Sequence, residues 1–137
     1  MDLYKYRDLP DYLSVTELNS HFSDLLGYIE ANYAASPLGK SEALYELADR
    51  QFNTYEYLEE SLKERIDSWV ISIWNIDNFK LIDNLLSLIA LLGLQKSFLT
   101  AKTSLANTNL NPEVRTELED TVTELEGNVS DPYSGFK

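Results

Sequence analysis

The sequence predicts an all-α protein: a single domain of about six helices, arranged as a bundle or as a short solenoid-like stack of helical hairpins. One reason is periodicity, because apolar residues recur at spacings of three and four in every long segment. Another is that no run alternates apolar and polar residues for long enough to indicate a strand. The length of 137 residues is typical of one domain.

The predicted helices are organised around the apolar stretch 66–94, which contains both tryptophans, Trp69 and Trp74. No charged residue occurs from position 84 to position 95. The second half of the stretch contains two rows of apolar residues at helical spacing. One row is Phe79, Ile82, Leu86 and Ile89, and the other is Leu81, Leu85, Leu88 and Leu92. A helix that is apolar around most of its circumference is buried by neighbours on several sides. Gly93 provides the left-handed residue with which such a helix ends.

Two segments flank the predicted helical domain, which spans residues 14–127. Residues 1–13 carry three tyrosines around a proline, and we expect an irregular N-terminal arm whose rings lie on the body or contact a partner. These tyrosines are Tyr4, Tyr6 and Tyr12. Residues 128–137 contain proline and glycine and predict a loose C-terminal tail.

The first predicted helix begins at Ser14, because Glu17 three residues later completes a capping box. Its apolar face extends to Tyr33, and the Ser-Pro-Leu-Gly segment 36–39 is expected to end it. Ser41 is the predicted cap of the second helix.

The third predicted helix begins at Asn53, where Glu56 repeats the capping pattern and Tyr55 is the first inward residue. One bent helix through residues 52–54 fits the same pattern, so this boundary stays open at the level of the sequence.

The last three helices have clearer boundaries. Asn75 or Asp77 is expected to cap the fourth helix, and the fifth follows Gly93 almost at once. Asn111 followed by Pro112 is a strong start signal for the sixth helix, with Asn as the cap and Pro in the first turn. Gly127 is expected to close the sixth helix.

The charge balance narrows the classes of partner. With 23 acidic and 11 basic residues, the net charge is −12, so the protein repels phosphate backbones and anionic membranes. We therefore expect no direct binding to nucleic acid or to membranes. The apolar run 85–92 is shorter than the ~20 residues that span a bilayer. The N-terminus lacks a signal pattern, so we expect a cytoplasmic location.

Residues that carry catalytic chemistry are scarce. There is no cysteine, and His21 is the only histidine. Glu17 lies one helical turn before His21, but a di-iron or zinc site needs further ligands of the same kinds. Neither a Gly-x-Ser-x-Gly segment nor a glycine-rich phosphate loop occurs. The sequence therefore predicts no enzyme, no metal site and no cofactor.

The sixth predicted helix carries four carboxylates at steps of four, three and four residues, which places them along one side, opposite the apolar row. We call Glu113, Glu117, Asp120 and Glu124 the acidic stripe. Arg115 is the only basic residue close to them in the sequence. Like charges at these spacings destabilise a helix slightly. The stripe is therefore our predicted binding site for a basic protein partner; the other interpretation is a solvated face of an acidic protein.

A second acidic cluster lies on and before the third helix, at Glu56, Glu59, Glu60, Glu64 and Asp67. Here Lys63 follows Glu59 at the spacing of a favourable ion pair, and Arg65 is close. This cluster is interpreted as an ordinary, charge-balanced surface.

In its size, acidity, helical hairpins and lack of a catalytic motif, the chain resembles the immunity proteins of bacterial toxin–immunity pairs, including those of contact-dependent growth inhibition. The resemblance implies a cytoplasmic protein that binds one toxin domain, such as a nuclease, and blocks its active site. The chain shares no motif with this class of proteins, so no functional residue can be assigned from the resemblance. The acidic stripe is the expected contact on the basis of its charge alone.

Other functions fit the same sequence. A helical adaptor would bind a peptide or helix in an apolar groove. A DNA mimic would sequester a protein that binds nucleic acid, and an enzyme would use carboxylates in an unrecognised arrangement. A toxin gene directly upstream would favour the immunity hypothesis. The oligomeric state stays open.

Overall fold

The helices pack in two layers in the computed structural model, which describes residues 1–32 and 35–134. One layer holds α1 (Val15–Ala31), α3 (Glu60–Ser72) and α5 (Gln95–Ser104), in that order. The other holds α2 (Pro37–Phe52), α4 (Phe79–Leu92) and α6 (Pro112–Leu125). Contacts of α1 with α2, and of α5 with α4 and α6, join the layers. The described residues contain no strand, so the all-α prediction is confirmed.

Helix α4 is the middle helix of its layer and forms the centre of the core. It packs between α2 and α6 and also contacts α5, which accounts for its apolar circumference. Its buried residues are Leu81, Ile82, Leu85, Leu86, Leu88, Ile89 and Leu92. Phe79, the first residue of the helix, is 38% exposed, contrary to its predicted place in the row. No helix within the described ranges is long and apolar enough to cross a membrane.

The turn after α4 requires glycine, as the sequence predicts. Gly93 has a φ of 72°, in the left-handed region, and its N–H donates to the Ile89 carbonyl at 2.9 Å. A Cβ atom at this position would lie 2.9 Å from the Val129 carbonyl oxygen. The segment after α6 therefore lies directly against this turn.

The N-terminal segment is more regular than predicted. Leu3–Asp8 forms a 3₁₀ helix that packs on α2, with the Asp2 side chain accepting from the Tyr4 N–H. Tyr6 is only 1% exposed and belongs to the core, whereas Tyr4 and Tyr12 lie on the surface. The prediction of an irregular arm is therefore wrong for residues 3–8.

Arg50 holds this segment in place. Its buried guanidinium donates to the carbonyl oxygens of Arg7, Leu9 and Pro10 at 3.3, 2.9 and 3.3 Å. The same group forms an ion pair with Glu46 at 2.6 Å. A buried guanidinium needs several acceptors, and the N-terminal carbonyls supply them.

Helix α2 begins earlier than predicted. The segment 36–39 starts this helix rather than ending α1, because the Ser36 hydroxyl accepts from the Gly39 N–H at 3.3 Å and Pro37 occupies the first turn. Ser41 is a buried residue inside α2, where its hydroxyl accepts from the Asn84 amide of α4 at 3.1 Å. Tyr33, the predicted last apolar residue of the first helix, lies outside the described residues.

Helix α3 begins later than predicted. Asn53 is the C-cap of α2, and the six residues 54–59 follow before α3 starts at Glu60 with Glu59 as its cap. The alternative of one bent helix is therefore wrong. Tyr55, predicted inward, is 70% exposed.

The last three helices begin close to their predicted positions. Asn78, rather than Asn75 or Asp77, caps α4, and its Oδ1 accepts from the Leu81 N–H at 3.1 Å. Asn111 caps α6 with Pro112 in the first turn, as predicted.

The first turn of α5 is capped by a residue of another helix. Its own N-cap residue is Leu94, which has no polar side chain. Asp67 of α3 is buried here, and its carboxylate accepts from the N–H groups of Lys96 and Ser97 at 3.1 and 2.8 Å. The Ser97 hydroxyl donates to the same carboxylate. Asp67 thus satisfies donors that the sequence of α5 leaves without a cap.

Candidate functional site

The acidic stripe lies on a flank of α6 beside α4, and not opposite the apolar row as predicted, because Glu117 meets Asp83 and Glu124 shares a cleft with Ala90 and Leu91. Val114 and Leu118 bury the inner face of α6 against α4 and α5. Glu113, Asp120 and Glu124 are exposed, and Glu117 is half-buried. At 1.5 Å rise per residue, the four carboxylates extend over about 16 Å of the helix. The local helix geometry therefore produces the alignment that the spacing predicts.

None of the four stripe carboxylates forms an ion pair with a described residue, although their acidic neighbours do. Glu119 pairs with Arg115 at 3.8 Å, and Glu126 pairs with Lys102 of α5 at 2.7 Å. The remaining ion pairs of the described chain lie on other helices, at Arg7, Arg50, Arg65 and Lys80. Arg115 and Lys102 therefore pair with Glu119 and Glu126 of α6 and not with the stripe.

Asp83 of α4 extends the stripe onto the neighbouring helix. Burial raises the pKa of the Glu117 carboxyl, and the charge of Asp83, a hydrogen bond with Asp83 and the charge of Asp120 raise it further. The sequence analysis missed Asp83. The signal that identifies it is a single exposed carboxylate on a helix that is otherwise almost entirely apolar.

The acidic cluster of α3 is arranged differently from the prediction. Lys63 forms no ion pair with Glu59, whose carboxylate instead accepts from the Ser61 N–H at 3.3 Å and from its hydroxyl at 2.6 Å. Arg65 pairs with Glu30 of α1 at 2.5 Å. With Asp67 buried under α5, two of the five carboxylates have structural roles. The cluster is therefore not a uniform solvated surface.

A second surface feature lies between α2 and α3, in residues 53–59, which we call the tyrosine loop. Tyr55 has a φ of 58°, a left-handed conformation that costs about 1–2 kcal/mol for a residue other than glycine. The loop is held by hydrogen bonds from the Gln51 amide to the Glu56 carbonyl at 2.9 Å and from the Thr54 hydroxyl to the Gln51 carbonyl at 2.7 Å. These bonds fix the loop in its strained conformation.

Tyr133 supports the tyrosine loop from below. Its hydroxyl lies 3.3, 3.1 and 3.1 Å from the carbonyl oxygens of Gln51, Phe52 and Glu56. Its ring stacks on Phe52 and on Tyr55, with centroids 5.0 and 5.6 Å apart. Burial is the main cause that raises the pKa of the Tyr133 hydroxyl.

The position of Tyr133 overturns the prediction of a loose tail for residues 128–134. Tyr133 is only 8% exposed, and Asp131 accepts from the Tyr57 hydroxyl at 3.0 Å and from the Tyr133 N–H at 3.1 Å. The last three residues of the predicted tail, 135–137, lie outside the described residues. The missed signal is Tyr133 itself, a large aromatic residue directly after Pro132.

A cleft of about 380 Å³ lies beside one end of the acidic stripe. Its lining includes Glu124 and Leu125 of α6, Phe52 at the end of α2 and Asp131 of the segment after α6. The tyrosine loop is connected to this lining by the hydrogen bond from Tyr57 to Asp131.

Another cleft, of about 610 Å³, lies between α1 and α3. Its apolar residues, Ile29 and Trp69, are buried, and its remaining lining is formed by Glu30, Ser61, Glu64, Arg65, Ser68 and Ser72. Hydrogen bonding by Arg65 lowers the pKa of Glu30, so this ion pair keeps its charges near neutral pH. Six of the eight residues that line the cleft thus have polar or charged side chains.

His21 lies next to the N-terminal 3₁₀ helix. Its ring meets the ring of Tyr6 edge to face, with centroids 6.0 Å apart and an interplanar angle of 88°. Within residues 1–32 and 35–134, no group of three or more potential metal ligands occurs. This contact gives His21 a packing role beside the core.

Comparison of the chain with models of known protein families, with curated proteins and with solved structures gives no match. The argument for function therefore depends on the chemistry of the acidic stripe and of the surfaces beside it.

Proposed function

We propose that this chain is a binding protein whose acidic stripe docks on a positively charged surface of a protein partner. The specific form of the proposal is an immunity protein that acts in the cytoplasm and occludes the active site of a basic toxin domain, such as a nuclease. In this mechanism the carboxylates occupy the positions of substrate phosphates. The protein catalyses no reaction and needs no cofactor.

The observation that carries the proposal is the distribution of ion pairs on and around α6. Glu119 and Glu126 have basic partners within the chain, whereas the stripe carboxylates have none among the described residues. Asp83 adds a further negative charge beside Glu117. A surface with one sign of charge accelerates association with an oppositely charged protein. The arrangement therefore favours a basic partner.

The adaptor alternative has less support. A groove for an amphipathic helix needs exposed apolar anchors. The cleft between α1 and α3 has its apolar residues at the bottom and an ion pair between Arg65 and Glu30 along its wall. A DNA mimic would use the same stripe against a protein that binds nucleic acid, so the identity of the partner separates it from an immunity protein.

A growth assay tests the immunity function. The protein encoded directly upstream of this chain's gene is expressed alone and together with this chain. We expect growth arrest in the first case and normal growth in the second, because the bound chain covers the active site of the toxin. Growth arrest that persists at equal expression of both proteins contradicts the immunity proposal.

Stopped-flow association with the purified partner tests the docking face. The variant Asp120→Asn/Glu124→Gln removes two exposed charges from the stripe. Glu60→Gln/Glu64→Gln is the matched control, since it removes two exposed charges at the same spacing from α3. We expect the α6 variant to associate about three- to tenfold more slowly at about 0.03 M salt, with the difference shrinking towards about 0.5 M.

The control variant has the same net charge as the α6 variant, so it reports the effect of overall charge alone. Equal rates for the two variants at every salt concentration would show that the stripe is only a solvated face. Circular dichroism of both variants checks that the helices are retained.

A further inference from the structure

We propose that the basic partner of the acidic stripe also places an apolar side chain on the start of α4. The contact there is a surface that we call the apolar corner, formed by Trp74, Ile76 and Phe79. This inference rests on the proposed function in one respect, the positive charge of the partner. It assigns a second contact on another helix, and an apolar side chain among the partner's basic residues, which charge on α6 does not explain.

The first argument is the position of α4 relative to the acidic stripe. Glu117 of α6 meets Asp83 of α4, and seven residues further along both helices Glu124 shares a cleft with Ala90. The two helices therefore lie side by side and run in the same direction. The same offset, continued one helical turn back from Asp83, places the start of α4 at the level of the first carboxylate of the stripe.

The second argument is that Phe79 belongs to the side of α4 that lies next to α6. Asp83 and Ala90 follow Phe79 after four and eleven residues, and these steps place all three on one side of a helix. Lys80, the only basic residue of α4, pairs instead with Glu42 of α2 at 3.8 Å. The side of α4 beside the stripe therefore offers an aromatic ring and a carboxylate, without a cation of its own.

The third argument is that the apolar corner is exposed and partly fixed. Phe79 is 38% exposed, and Trp74 and Ile76 are half-buried, so the core covers only part of these three side chains. The Trp74 indole N–H donates to the Ser104 hydroxyl at 2.9 Å, which orients the ring. Aromatic rings held before binding lose little conformational entropy, and aromatic residues are common among those that dominate binding energy.

The fourth argument selects the chemistry of the partner. None of the ion pairs among the described residues includes Asp83 or a stripe carboxylate, so lysine or arginine side chains of the partner complement this part of the surface. A charged side chain that covered the apolar corner would lose water without gaining a hydrogen bond, which is costly. An apolar side chain beside the basic ones gains from burial against Phe79 instead.

Fluorescence anisotropy with two labelled heptapeptides tests the inference on the full chain at about 0.03 M salt. In both peptides three lysines flank the central residue on each side, and this residue is phenylalanine in one peptide and serine in the other. We expect the wild-type protein to bind the phenylalanine peptide about two- to fivefold more tightly, and Phe79→Ser to remove most of this preference. Leu99→Ser is the matched control, because Leu99 is an exposed apolar residue of α5 in a cleft beyond the end of α6.

Amide NMR spectra of the wild-type protein locate the site independently of any variant, since the phenylalanine peptide is expected to shift the signals of residues 74–79 more than the serine peptide does. The inference is overturned if these signals respond equally to both peptides, if Phe79→Ser keeps the wild-type ratio of affinities, or if Leu99→Ser lowers it equally. Asp83→Asn is expected to weaken both peptides to a similar degree. If Asp83→Asn and Asp120→Asn/Glu124→Gln leave both affinities unchanged while Phe79→Ser lowers the ratio, the apolar contact stands and the acidic docking face is refuted.

Discussion

Helices α3 and α6 both carry several carboxylates, but they occupy different places in the two layers. Helix α3 is the middle helix of its layer, between α1 and α5, whereas α6 ends its layer beside α4. The carboxylate of Asp67 reaches the start of α5, and that of Glu59 caps its own helix. The stripe carboxylates of α6 reach no cation among the described residues. The difference shows that helix position decides whether an acidic residue stabilises the fold or remains available to a partner.

The largest expected effect concerns Asp67. Asp67→Ala leaves the N–H groups of Lys96 and Ser97 without their acceptor, and the buried Ser97 hydroxyl keeps only the main-chain carbonyl of residue 67. We expect the free energy of unfolding to fall by about 2–4 kcal/mol, since unsatisfied buried donors and lost caps each cost of the order of 1 kcal/mol or more. Urea unfolding at neutral pH measures this change.

Glu64→Ala on the same helix is the control for Asp67. Glu64 is exposed, so its replacement is expected to change stability by less than about 0.5 kcal/mol. Similar stability of Asp67→Ala and Glu64→Ala would show that these two carboxylates do not differ in role. It would contradict the difference inferred between α3 and α6.

On α6, the removal of carboxylates is expected to increase the free energy of unfolding instead of lowering it. Asp120→Asn/Glu124→Gln removes repulsion between like charges at a spacing of four, and also a negative charge near the C-terminus of the helix. We expect stability to increase by about 0.5–1 kcal/mol at low salt, and by less at high salt. Thermal or urea unfolding at two salt concentrations checks this. A loss of stability would indicate that these carboxylates have internal partners after all.

The smallest expected effect is the pH dependence at Glu117. Because the pKa of its carboxyl is raised in the folded protein above the ordinary value of 4.5, the folded state binds the proton more tightly than the unfolded state does. Wild-type stability therefore falls, relative to Glu117→Gln, as the pH rises from 4.5 through the raised value. We expect Glu117→Gln to be more stable by a few tenths of a kcal/mol at neutral pH.

The free energies of unfolding of the wild-type protein and of Glu117→Gln are compared at pH values below 4.5 and at neutral pH. Well below pH 4.5 the carboxyl is protonated in the folded and unfolded states, so the advantage of the variant is expected to disappear. If the higher stability of Glu117→Gln stays constant down to the lowest pH, the charges of Asp83 and Asp120 do not act on Glu117.

The helical class, the central position of α4 and the start of α6 could be predicted from the sequence, because each depends on local spacing or on a cap within the helix. Asp67 could not be assigned in this way. In the sequence it belongs to an acidic run, and only the packing of α5 on α3 buries it. Its role depends on residues about thirty positions away.

The candidate site could also be predicted only in part from the sequence. The alignment of Glu117 and Asp120 follows from helical spacing alone, whereas Asp83 joins them only because α4 packs beside α6. The capping pattern at Asn53 and Glu56 predicted a helix with Tyr55 inward. Contacts from Tyr133, which is distant in the sequence, favour the loop conformation instead.

The contacts of Tyr133 also set an order of assembly during synthesis. Its hydroxyl meets the carbonyls of Gln51, Phe52 and Glu56, which are 82, 81 and 77 residues earlier in the chain. Helices α1 and α2 have their mutual contacts as soon as both have emerged from the ribosome, but the tyrosine loop then still lacks its support. The tyrosine loop is therefore supported only after α6 and the segment that follows it have been made. Part of the core forms on a nascent chain before this loop reaches its final conformation.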